Sequence, residues 1–214
     1  MSQLPAQDSK QRGKQQTRRD NSDARIIAAA IELFANQGYQ KTTLIQVGHA
    51  AGYTGTLISN RFGSKDGLLR AVIAHVLRRF RSEQRPFGLQ PDDRPAEELL
   101  RTFVSEYLQD VAQKQSRIRA IHMIMGEALG GQPEIRTQII KVNSVFRTKL
   151  EEHIRHGVQT GAFRADIDVE NAAIIIVGLL RGVTSQFLTE PRTVKIIDLI
   201  PPVQASVFSI LRAE

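Results

Sequence analysis

The chain contains no cysteine. That absence excludes disulfides, thiolate zinc sites, iron–sulfur clusters and cysteine nucleophiles together, and it fits a reducing, cytoplasmic address. Proline is missing between Pro5 and Pro86, and the later prolines stand at 91, 95, 133, 191, 201 and 202. Long proline-free windows permit long helices. Extended apolar runs are also lacking. The most apolar stretch, Ala172 to Leu180, stops at Arg181, far short of the roughly 20 residues that a bilayer requires. The N-terminus has no apolar core of a secretory signal, so a soluble protein with no membrane partner is expected. No phosphate loop, dinucleotide-binding glycine fingerprint or acid/base constellation occurs. No catalytic residue and no cofactor is therefore assigned, and an enzyme is not expected.

What is present is an uneven charge. The 214 residues carry a net charge of +7, which asks for an acidic partner. Residues 1–85 hold 14 basic and 6 acidic side chains, and the remainder holds 15 and 16. The two parts are thus built for different partners. Residues 1–20 are polar, with Lys10, Arg12, Lys14, Arg18 and Arg19, and a disordered basic arm is expected there because little can be buried.

Apolar residues recur at helical spacing: Ile26, Ile27, Ala30, Ile31 and Phe34, then Leu99, Leu100, Phe103, Val104, Tyr107, Leu108 and Val111. A third stripe, Ile135, Ile139, Val142, Phe146, Leu150, Ile154 and Val158, extends over about seven turns. No strand-like alternation competes, so the fold class is all-α, with a break expected across residues 86–95. Six of the fifteen glycines fall between Gly38 and Gly67, where helices must be short and joined by tight turns.

That glycine-rich stretch carries the functional signal. Thr43 suits an N-cap for a helix bearing Leu44, Val47 and Ala51, and Gly52 supplies the turn. Thr54 caps a second short helix whose Ile58 and Phe62 share an inward face. Its outward face is Gly55, Thr56, Leu57, Ser59, Asn60 and Arg61, a poor surface for solubility alone but a sensible one for reading a groove. Small and hydroxyl residues allow close approach, Asn60 and Arg61 can bond bases or phosphates, and Leu57 can meet a thymine methyl. This is helix-turn-helix logic. Lys65 opens the next helix, where an ammonium beside free backbone amides suits a phosphate.

At these residues the chain resembles the DNA-binding domain of TetR-family transcriptional regulators. The match runs without a gap for about 45 residues through Ala30, Phe34, Gly38, Thr42, Thr43, Ala51, Gly52, Phe62, Ser64 and Lys65. The resemblance implies that Thr43, Ser59, Arg61 and Lys65 lie on the DNA backbone, while Gly55, Thr56, Leu57 and Asn60 face the bases. The tyrosine common in the middle of the family's recognition helix is Ser59 here, so that contact is lost. The expected organisation is a basic arm (1–20), a three-helix helix-turn-helix domain (21–67), a connecting helix (68–85) and a helical-bundle ligand-binding and dimerisation domain (86–214). The expected partners are a double-stranded DNA operator, a second copy of the chain and a small-molecule effector. A constitutive or protein-regulated DNA-binding dimer is the alternative, because a cavity leaves no motif.

For the second half, the helix after Asp168 is apolar around most of its circumference, and Gly178 and Gly182 on it would admit a close neighbour, so it is the expected dimer interface, with a fully buried central helix of one subunit as the alternative. The resemblance implies that a helix after Pro202 completes a four-helix bundle between copies. Phe103, Tyr107, His122, Met123, Met125 and Phe146 are candidate pocket residues, combining aromatic and sulfur surface with a polar handle. His153, His156 and Glu152 look superficially like a metal cluster but lack a third well-spaced ligand, and no metal is expected.

Overall fold

The computed structural model describes residues 6–82 and 94–212, with side chains for 17–77 and 94–212. The residues expected to form the interdomain break lie largely outside that range, as do the side chains of Lys10, Arg12 and Lys14. All regular structure among the described residues is helical: α1 (Ala6–Lys41), α2 (Leu44–Ala51), α3 (Gly55–Phe62), α4 (Lys65–Ser82), α5 (Ala96–Gln113), α6 (Gln115–Ala128), α7 (Pro133–Gln159), α8 (Val169–Thr189) and α9 (Ile200–Leu211).

One expectation about boundaries is corrected. Residues 6–20, expected to be disordered, are the first turns of α1. Once packing of Ile26, Ala30 and Phe34 has nucleated the helix, each further turn costs only propagation, and a proline-free stretch rich in Gln, Lys and Arg propagates well. The stretches on either side of residue 86 share a core. One hydrophobic core contains Ile26, Phe34, Val47, Ile58, Leu68 and Val72 of the N-terminal helices together with Ile121, Ile124, Ile135 and Val142 of α6 and α7. A second core, formed by α5, α8, α9 and the later half of α7, buries Leu100, Leu108, Leu150, Ile154, Leu180 and Val207. The α7 helix, about 40 Å long at 1.5 Å per residue, runs through both. The two functional halves are therefore welded by apolar packing.

Helix α8 is long and apolar enough to cross a bilayer by length and composition. It is a core helix of the bundle, with Ala173, Ile176 and Leu180 fully enclosed. Pro201 and Pro202 lie in the first turn of α9, where a missing amide hydrogen breaks no intrahelical bond.

Candidate nucleic-acid interface

The geometry of the head starts with its caps. The Thr43 hydroxyl accepts from the Gln46 amide at 3.2 Å, and Gln46 Oε1 accepts from the Thr43 amide at 2.8 Å, a reciprocal capping box. Gly52 ends α2 in the left-handed region (φ 77°). Thr54 then caps α3 by accepting from the Leu57 amide at 3.2 Å. The two helices cross so closely that a Cβ on Gly48 would stand 2.8 Å from the Gly55 nitrogen. Glycine at that crossing fixes the angle at which α3 leaves the core.

Ile58 is fully buried, and α3 presents exposed Thr56 and Asn60, with Gly55, Leu57 and Ser59 half-exposed beside them. Thr43 and Thr54 are exposed at the two helix starts. Ile45 on α2 is 75% exposed and touches the α3 start at Gly55. It was not among the sequence-expected site residues, although it lies off the Leu44, Val47, Ala51 stripe and so had no place in the core. Arg18 and Arg19 of the extended α1 join Ser22, Leu57, Asn60 and Arg61 around an open cleft of about 440 Å³. The helical extension thus carries basic side chains to the flank of α3.

The two cations expected on the DNA backbone are turned inward. The Arg61 guanidinium bonds Asp23 Oδ1 at 2.8 Å and the Ser22 hydroxyl, tying α3 to α1. Lys65 Nζ donates to the carbonyls of Tyr39 and Gln40 at 3.2 and 3.0 Å and stands 4.5 Å over the Tyr39 ring. It satisfies carbonyls that the break at Gly38 (φ 83°) leaves without helical partners. The Tyr39 hydroxyl donates to Asp66, and burial followed by that carboxylate pushes the phenol far above its usual range, so it stays protonated. At the same joint the Glu127 carboxylate of α6 accepts from the Gln40 amide at 3.1 Å. The ends of α1, α4 and α6 thus meet at one point.

The six candidate pocket residues divide. Phe103, Tyr107, His122 and Phe146 lie at the inner faces of α5, α6 and α7, with Tyr107 and Phe146 edge-on at 5.9 Å. Met123 is 41% exposed and reaches toward Gly38, and Met125 packs against the head's core. At 100° per residue, neighbours on α6 cannot all face one pocket. His153 is buried and His156 half-buried around a small gap with Glu152, and no group of three metal-ligating side chains occurs among the described residues.

A capped helix-turn-helix with a small, polar, outward second helix defines a DNA-binding transcriptional regulator. Residues 26–72 match the family described as bacterial regulatory proteins, tetR family, and residues 93–185 match a tetracyclin repressor-like C-terminal domain. The transcriptional repressor KstR2 of Rhodococcus jostii (strain RHA1) is 30% identical over 155 residues, covering 69% of this chain and 70% of that protein. The chain belongs to the TetR family. Among solved structures, the fatty acid degradation regulator FadR from Bacillus halodurans superposes with a TM-score of 0.79 at 22% identity, covering 90% of this chain and 97% of that one. FadR from Bacillus subtilis, solved in complex with stearoyl-CoA, has a TM-score of 0.76 at 20% identity and covers 87% and 97%. The family is one of regulators, not enzymes.

Proposed function

We propose that the chain is a cytoplasmic, homodimeric repressor whose paired α3 helices read a two-fold operator and whose C-terminal half binds a small molecule that releases it. The observation that carries this reading is that α3 anchors itself through Ile58 and turns outward a face of Gly55, Thr56, Leu57, Ser59 and Asn60. In this reading Gly55, Thr56, Leu57 and Asn60 meet base edges, and Thr43, Thr54 and Ser59 meet the backbone. Arg18 and Arg19 add phosphate contacts, and Arg61 and Lys65 contribute the donor hydrogens their internal bonds leave unused. A stearoyl-CoA complex of a protein with the same fold supports a small-molecule effector. Helix α6 offers the route to the head, since it carries His122 toward the C-terminal interior and Glu127 to the Gln40 amide. A ligand that favours a different α6 position by a coupling of about 1–3 kcal/mol would weaken operator binding appreciably.

Operator binding by fluorescence anisotropy tests the DNA reading. Affinity is expected to fall about 10³–10⁵-fold between 50 and 200 mM salt, the response of a dimer that neutralises several phosphates. A flat response would remove the backbone contacts from the proposal. Asn60→Ala is expected to relax the preference at one base pair per half-site by about 1–3 kcal/mol while leaving the salt slope unchanged. Equal weakening on every sequence would assign Asn60 to the backbone.

A further inference from the structure

Arg181 sits on the inward stripe of α8, one turn from both Val177 and Thr184, which are buried. Its guanidinium stands 5.9 Å from the centre of the Phe146 ring, and Phe146 meets Tyr107 edge-on. The Tyr107 and Thr184 hydroxyls are bonded at 3.2 Å. Residues from α5, α7 and α8 thus gather on the inner side of one half-buried cation. Arg181 Nη2 is enclosed and has no hydrogen-bond partner, and among the described residues Arg181 makes no ion pair.

The charge is not compensated by its neighbours. Burial pushes Arg181 below the usual guanidinium range; the Tyr107 hydroxyl opposes that, and the nearby Arg147 guanidinium adds to it. No carboxylate is among the groups that shift it. Burial raises the Tyr107 phenol, which therefore stays neutral. His122 also stays neutral, because burial lowers its pKa. Its Nδ1 lies 3.0 Å from the Ile118 carbonyl, which can only accept, so Nδ1 carries the hydrogen, and the ring also faces the main chain of Arg181. Asp110, the acid that acts on Tyr107, is held by Lys114 and Arg117. A guanidinium cannot escape such a site by losing its proton. A half-buried cation with no counter-ion and one enclosed, unpartnered amine is unfavourable, and the partner that fits its planar fork is an oxyanion.

We propose that Arg181 is the anchor for the acidic group of the effector, an amphipathic anion whose carboxylate or phosphate meets Nη2 while its apolar body lies along Phe146 and Tyr107. The inference rests on reading the C-terminal half as a ligand-binding half, and it names the ligand class. The test uses two fluorescent probes with similar rings: the anionic 8-anilinonaphthalene-1-sulfonate and the uncharged N-phenyl-1-naphthylamine. Both are expected to bind the native dimer. Arg181→Met should weaken the anionic probe at least tenfold and leave the uncharged one unchanged, and Arg181→Lys should restore part of the loss. Because the methionine removes an unpaired, partly buried charge, the melting temperature should hold or rise, by about 2–4 °C. An arginine with only a structural role would lower it. Competition by 1-naphthaleneacetate against 1-naphthyl phosphate assigns the acid, and displacement by neither overturns the proposal. Unchanged anionic-probe affinity in Arg181→Met also overturns it while the ligand-binding reading stands. Binding of neither probe to the native protein overturns both.

Discussion

Gly178→Glu is expected to yield monomers by sedimentation and to weaken operator binding by roughly 10²-fold or more, because a single short helix reads too few base pairs. The argument starts from cost. A glycine in a helix interior costs about 1 kcal/mol relative to alanine, and α8 carries two, Gly178 and Gly182, one turn apart. Within the chain nothing lies within 4 Å of where either Cβ would stand, so no internal packing requires them. Beside them Ile174 and Ile175 are 49% and 55% exposed. Ala205, Ser206 and Ser209 on the outer face of α9 are also small and exposed. An exposed apolar strip with two backbone-bare positions is what a second helix needs for close approach. Gly178→Ala separates the two effects: it should stabilise the isolated helix yet loosen the dimer. A Gly178→Glu protein that remained a dimer would move the interface elsewhere.

The second large effect is expected at Gly48. Gly48→Ala should lower the melting temperature by several degrees and weaken operator binding on every sequence. The added methyl would stand 2.8 Å from the Gly55 nitrogen and from the Thr54 carbonyl carbon, both backbone atoms that cannot rotate away. Overpacking of this kind costs about 1–3 kcal/mol, or a displacement of α3 from its reading position. Gly126→Ala on α6 provides the contrast. Nothing lies within 4 Å of its Cβ position, so the same substitution should stabilise the protein by up to about 1 kcal/mol. If both variants melted alike, close helix crossing would not be what fixes glycine at position 48.

The head was legible because its signals are local. Caps at Thr43 and Thr54, a turn at Gly52 and an inward Ile58 all lie within one short stretch, and each is dictated by residues a few positions away. The helical stripes of α5 and α7 were readable for the same reason, since a 3.6-residue period is written along the chain. The start of α1 was not, because its helicity depends on a nucleus that distant core residues hold in place. The roles of the cations were not legible either. Arg61 meets Asp23 and Lys65 meets the end of α1 across 38 and at least 25 residues of sequence, and no local pattern states that such groups are occupied. Sequence alone therefore determined the all-helical class, the helix-turn-helix and the apolar character of α8. Only the tertiary structure decided that α6 and half of α7 share the head's core, that Met123 and Met125 turn away from the C-terminal interior, and that Arg181 is left without a counter-ion. Short-range hydrogen bonding and periodicity leave a trace in neighbouring residues, whereas the pairing of charges and the sharing of a core depend on which distant surfaces meet.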